Sequence, residues 1–182
     1  MGLDMYLYRK VDEAKDFEDA KRMEAAFWDN CHWDDGAGRF ASTDYRKGFE
    51  EIGYWRKANM VHKWFADNCG ADDCEYYPVS RAQMEKLLET CKTVLENTVL
   101  ADGMVKNGEV WSDGKWKPIM EEGKFILDSS VAEELLPTCS GFFFGNTDYN
   151  QWYVRDVENT VEIVGNALND YDDAEFYYYP SW

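Results

Sequence analysis

Gly53-Tyr54-Trp55-Arg56-Lys57-Ala58-Asn59-Met60-Val61-His62-Lys63-Trp64-Phe65 is the stretch on which the reading of the fold turns. At helical spacing, Ile52, Trp55, Ala58, Phe65 and Ala66 share one side with Asn59 and His62, while Tyr54, Val61 and Trp64 form a second apolar line. A helix that is apolar on more than one side is buried on more than one side. The spacing therefore predicts a single buried helix over about 45–68, capped by Asp44 and ended by Cys69-Gly70. Gly53 inside such a helix costs about 1 kcal/mol relative to alanine, which points to a kink or a close approach.

Before this stretch, Leu3-Asp4-Met5-Tyr6-Leu7-Tyr8 alternates with period two, the pattern of a half-buried strand. Phe17, Ala20, Met23 and Phe27 recur at helical steps over 12–30, and Asn30 to Thr43 reads as loop. After it, Glu75 to Val79 reads as a short extended segment, and Ser80-Arg81-Ala82-Gln83 has the form of a capping box. The box opens a helix over 81–97 with Met84, Leu87, Leu88, Cys91 and Leu95 towards the core. Asn107-Gly108 and Asp113-Gly114 are hairpin dipeptides and predict a β-hairpin insertion near 105–118.

Ser129 or Ser130 caps a short helix that Pro137 closes. Phe142-Phe143-Phe144, bracketed by Gly141 and Gly145, reads as a short buried strand. Thr147 or Asp148 then caps a helix over 149–169, and Ala174 to Tyr179 is an aromatic strand. No repeat, low-complexity stretch or linker divides residues 1–182, so one domain is expected. The order of elements does not alternate regularly enough for a doubly wound sheet. The fold class is α+β: one mixed or antiparallel sheet packed by three to five helices, mainly on one face.

Charge narrows the function classes. Thirty-six acids against 19 bases give a formal net charge of −17, which argues against a broad nucleic-acid-binding face. Residues 12–35 hold nine acids and three bases, and from Asp156 onward there are seven acids and no base. Between Arg39 and Lys63 the sign reverses, with six bases against three acids. No apolar run is long enough to cross a bilayer, and the opening residues lack the basic and apolar regions of a signal peptide. A cytoplasmic protein is expected, with its cysteines reduced. The five cysteines and two histidines show no paired metal-ligand spacing, so no metal site is assigned. No cofactor motif is present either, since Gly145-Asn146-Thr147-Asp148 lacks the lysine of a phosphate loop and the glycines of a dinucleotide fingerprint.

The candidate binding residues are Trp55, Arg56, Lys57, Asn59, His62 and Lys63. On the expected helix, Arg56, Asn59 and His62 lie along one ridge. Arginine offers a rigid fork to phosphate or carboxylate, asparagine reads an amide or base edge, and histidine donates or accepts. Lys57 or Lys63 would join Arg56 on the anion, and Trp55 would supply a ring face. The other reading has Asn59 and His62 bridging backbone groups while Arg56 pairs with an acid. An enzyme using His62 as general acid or base, or Cys139 with His62, would need a partner group that the sequence does not identify, so no catalytic residue is assigned.

The blocks Met1-Gly2-Leu3-Asp4-Met5-Tyr6-Leu7, Gly53 to Asn59 with His62 and Trp64-Phe65, and Leu136-Pro137-Thr138 to Asp148-Tyr149 resemble a family of small phage and prophage proteins. The likeness extends to the Phe-Tyr-Tyr ending and spans most of the chain, and against that family segments 11–48 and 100–128 read as elaborations of this member. Members of that family are sometimes labelled phosphoglycerate kinase. That name does not fit here, because the enzyme needs two large lobes and a phosphate-cradling glycine loop. What the resemblance implies is a setting in the cytoplasm of an infected host, where small acidic proteins act against host defence. Two roles follow as expectations. One is sequestration of a small anionic, nucleotide-like ligand beside residues 54–65. The alternative is an acidic surface, chiefly 12–35 and 156–175, that blocks a basic, nucleic-acid-binding host protein.

Overall fold

A computed structural model describes residues 2–13, 22, 48–141 and 143–182. The helix expected over 12–30, the loop to Thr43 and the Asp44 cap fall largely or wholly outside the described residues.

The alternating N-terminal segment forms β1 (Asp4–Lys10), and it pairs along both edges. On one side lies β2 (Phe49–Arg56), on the other β6 (Phe176–Ser181), and β3 (Tyr77–Val79) completes a four-stranded sheet in the order β2-β1-β6-β3. Every pairing in it is antiparallel. Leu3, Met5 and Leu7 point inward with Trp55, Phe176 and Tyr178, all at most 2% exposed. Helices α1 (Asn59–Cys69), α2 (Arg81–Glu96) and α4 (Gln151–Asp170) supply the rest of the same apolar cluster. The opposite face carries rings in mutual contact, among them Tyr6, Tyr54, Tyr76 and Tyr179. The fold is thus α+β, with an antiparallel sheet and with helices on its buried face.

The expected helix over 45–68 does not form as one element. Its first part is strand β2, and only from Asn59 does the chain turn helical. The alternation that marks a strand is hidden by a β-bulge. Leu7 faces Gly53 while the next residue, Tyr8, faces Glu51, so Ile52 is an extra residue without a counterpart across the ladder. The bulge shifts the parity of the inward positions, and helical spacing then fits the residues by coincidence. Gly53 does serve a close approach: a β-carbon there would lie 2.3 Å from Ile163 Cγ2 of α4.

Elsewhere, several local signals match the structure. Ser80 and Gln83 form the reciprocal capping box of α2, whose buried residues are Met84, Leu87, Cys91 and Val94. Gly70 closes α1 in the left-handed conformation, its N–H donating to Ala66. The hairpin exists but is longer than expected, running from β4 (Leu100–Ser112) into β5 (Lys115–Ile126). Asp113 and Gly114 both have positive φ and make its two-residue turn. Asn107-Gly108 is instead an irregularity in β4, at the register shift between Lys106 and Glu109.

Two local readings are overturned. Among the described residues of the phenylalanine run, Phe143 is exposed with φ 65° and Phe144 lies in a turn closed by its N–H to Gly141, so no strand forms. The glycines that seemed to bracket a strand instead admit side chains: the Phe144 ring lies where a β-carbon of Gly141 would be. A short helix α3 (Ser130–Leu135) precedes this loop as expected. Helix α4 starts two residues later than expected and is capped by Asn150, whose side-chain oxygen accepts from Trp152 N–H, rather than by Thr147 or Asp148.

Candidate functional site

The break between β2 and α1 decides where the candidate residues go. Lys57 sits at the corner with φ 58°, a left-handed conformation that is rare for a residue with a side chain. Its N–H donates to Leu3 O at 2.7 Å, and its own carbonyl accepts from Asn59 N–H at 2.9 Å. Because the chain turns there, Arg56 and Lys57 leave the line of the helix. They line a cleft that Asn59 and His62 do not reach, rather than extending one ridge with them.

Asn59 is fully buried and acts as a clamp. Its amide nitrogen donates to Phe144 O at 3.3 Å and Asn146 O at 2.8 Å, and its oxygen accepts from Cys139 N–H at 3.1 Å. One side chain therefore satisfies three backbone groups of the 139–146 loop. His62 Nδ1 lies 3.0 Å from the Tyr178 hydroxyl, with the rings of Phe144 and Trp182 against its imidazole. Burial is the main influence on this histidine and lowers its pKa below the ordinary histidine value, against an opposing pull from Asp72. Cys139 does not pair with it: the thiol donates to Asn59 O at 3.2 Å, and burial raises its pKa. Lys63 turns outward to Asp67, 2.8 Å away. Among the described residues, no three His, Cys, Asp or Glu side chains gather as a metal site.

Arg56 and Lys57 instead open onto a cleft of about 700 Å³ between the β2–α1 corner, the β4 irregularity, the 145–150 loop and the first turns of α4. That volume suits a small-molecule ligand. Four bases reach it, Arg56, Lys57, Lys106 and Arg155, against two acids, Asp148 and Asp156. The lining is therefore net positive in a strongly acidic protein. Arg56 is loosely tied, 3.9 Å from Asp4. Lys106 pairs with Glu109 at 2.7 Å, and that hydrogen bond raises its pKa. Arg155 lies 4.9 Å above the Trp152 ring. Asn107, Asn146, Asn150 and Asn159 add amide groups.

Two lining residues carry a buried donor that has no hydrogen-bond partner among the described residues, Asn150 Nδ2 and Trp152 Nε1. Asn150 as a whole is 2% exposed. Unsatisfied buried groups of this kind are uncommon and ask for a partner. Trp55 touches the cleft, but its ring belongs to the core at 1% exposure and its N–H donates to Thr160 Oγ1. It offers no stacking face; the half-buried Trp152 is the ring placed to do so.

No family model, curated protein or solved structure matches the chain. Of the six sequence candidates, Trp55, Arg56 and Lys57 line the cleft, while Asn59, His62 and Lys63 do not. The residues that sequence reasoning missed, Lys106, Asn150, Trp152 and Arg155, come from distant segments. Only their residue types, donors and a ring, carried any signal.

Proposed function

We propose that the protein binds a small anionic ligand of the nucleotide class in this cleft. The observation that carries the reading is a lining of four bases against two acids in a chain of net charge −17, beside two buried donors that have no partner among the described residues. A phosphate or carboxylate supplies acceptors and negative charge, and so fits both deficits. In this account Arg56, Lys57, Lys106 and Arg155 hold the anionic group, Asn150 and Trp152 donate to it, and the Trp152 ring and the remaining amides meet a planar edge. Taken with the resemblance to phage proteins, the same proposal makes sequestration of a nucleotide signal in a host cell the physiological role.

A thermal-shift screen with nucleoside mono-, di- and cyclic phosphates and with inorganic phosphate tests it. Stabilisation by at least one phosphate compound, lost in Arg155→Ala and Lys57→Ala, is expected. Absence of any shift across the panel would sink the reading.

A second reading keeps the acidic partner surface. It rests on Asp170, Asp172 and Asp173, exposed where α4 ends, with the Asp172 side chain 90% exposed. In that case association with a basic host protein weakens steeply with salt. Charge reversal at these three positions abolishes it, while Lys57→Ala and Arg155→Ala leave it untouched.

A further inference from the structure

Of the four bases that line the cleft, two are already committed to acids. Lys106 pairs with Glu109 at 2.7 Å, a bond that raises its pKa with smaller help from the charge of Asp148. Arg56 lies 3.9 Å from Asp4, whose carboxylate also accepts from the Tyr54 hydroxyl. Lys57 and Arg155 form no ion pair among the described residues. Asp156, the second acid of the lining, has an interaction of its own and pairs with neither. The two uncommitted side chains are nonetheless held in place. The Lys57 stem lies in a slot between two glycines: a β-carbon on Gly145 would be 3.0 Å from Lys57 Cβ, and one on Gly2 would be 3.2 Å from Lys57 Cε. The Arg155 guanidinium lies back over the Trp152 ring, towards the start of α4. Asn150 and Trp152, with their buried donors, belong to that same start. Cations fixed in this way lose little freedom when an anion arrives.

Resting on the ligand reading above, we propose that Lys57 and Arg155 form the seat of the anion, and that the seat takes the terminal group of a phosphate monoester. Near neutral pH such a group carries about −1.5 to −2 charges and three acceptor oxygens. It matches two uncommitted cations and still has acceptors for neighbouring donors. A phosphodiester carries one charge and leaves one of the two bases unmatched. A triphosphate brings more charge than the seat can match. The next bases along the lining, Lys106 and Arg56, are already faced by Glu109, Asp148 and Asp4, and like charges set against each other are costly. Asp148 is thereby a specificity-determining residue: it is exposed in the lining, with its backbone N–H fixed to Asn146 Oδ1 at 2.8 Å.

Isothermal titration calorimetry of the full chain in magnesium-free buffer tests this. The probes are the 5′-monophosphate, the 3′,5′-cyclic monophosphate and the 5′-triphosphate of each common ribonucleoside. For at least one nucleoside the 5′-monophosphate is expected to bind at least tenfold more tightly than its cyclic or triphosphate form. Lys57→Gly and Arg155→Ala are each expected to cost that ligand tenfold or more, and Arg56→Ala and Lys106→Ala about threefold. Asp148→Asn is expected to raise affinity for the triphosphate more than for the monophosphate. The comparison among ligands uses the unaltered chain, so it decides even if a substitution unfolds the protein. Binding of none of the compounds overturns the functional reading of the cleft, and this inference with it. A cyclic phosphate or triphosphate that binds as tightly as the monophosphate of the same nucleoside overturns the inference alone. So does a monophosphate affinity that neither Lys57→Gly nor Arg155→Ala lowers.

Discussion

Lys57 holds a backbone conformation that costs about 1 kcal/mol for any residue with a β-carbon, and it does so at the lip of the cleft. Strain of this kind at a pocket invites a functional test. Lys57→Gly relieves the left-handed geometry, so denaturant unfolding is expected to show stability unchanged or raised by up to about 1 kcal/mol, while phosphate-ligand affinity falls. If affinity is unaffected, Lys57 is only a corner. Asn59 makes the opposite case, a buried side chain whose hydrogen bonds all go to backbone. Asn59→Ala leaves Cys139 N–H and two carbonyls without a partner and is expected to cost about 2–4 kcal/mol, read by chemical denaturation. His62 predicts a pH dependence. Burial holds its folded pKa below 6.5, so below that pH the unfolded chain binds the proton more readily than the folded one. The contribution is fully present above pH 6.5 and is lost as pH falls through the folded value. Thermal melts are expected to drop across that acid window, and His62→Gln to flatten the drop.

Among the elements, β2 and α4 are fitted to each other at Gly53, where a β-carbon would overlap Ile163. Gly53→Ala forces the helix off the sheet and is expected to destabilise by about 1–3 kcal/mol. Ile163→Ala in the same chain is expected to recover part of the loss, a coupling that a double-mutant cycle measures. The elements that sequence made legible are those whose signals are local. The Ser80–Gln83 capping box, the Gly70 stop and the Asp113-Gly114 turn each depend on a few neighbouring residues. What was hidden depends on distant partners. The bulge at Ile52 is defined only by the register against β1, and it disguised a strand as a helix. The Phe143-Phe144 segment takes its shape from Asn59, some 85 positions away. The same distinction holds for the site: Arg56 and Lys57 are contiguous and were found, whereas Lys106, Asn150, Trp152 and Arg155 meet them only in the fold.

At the scale of the whole molecule, a base-lined cleft and an exposed two-stranded arm sit on a strongly acidic chain. The antiparallel sheet and its helices fix the corner at Lys57 and the first turns of α4, and so build the base-lined cleft. The hairpin leaves this body carrying near-neutral charge and exposed indoles. Among the described residues no helix is long and apolar enough to cross a membrane. In the proposed function the cleft is a binding site completed by a ligand's acceptors. It is tested most directly by ¹⁵N-edited NMR during titration with a nucleoside monophosphate and, separately, inorganic phosphate. The indole N–H signals are assigned from Trp152→Phe and Trp55→Phe variants. The Trp152 indole and the Asn150 side-chain amide are expected to move downfield as they gain acceptors, while the Trp55 indole, already bonded to Thr160, stays in place. A Trp152 signal that stays fixed at saturating ligand, or moves no more than that of Trp55, would contradict the account.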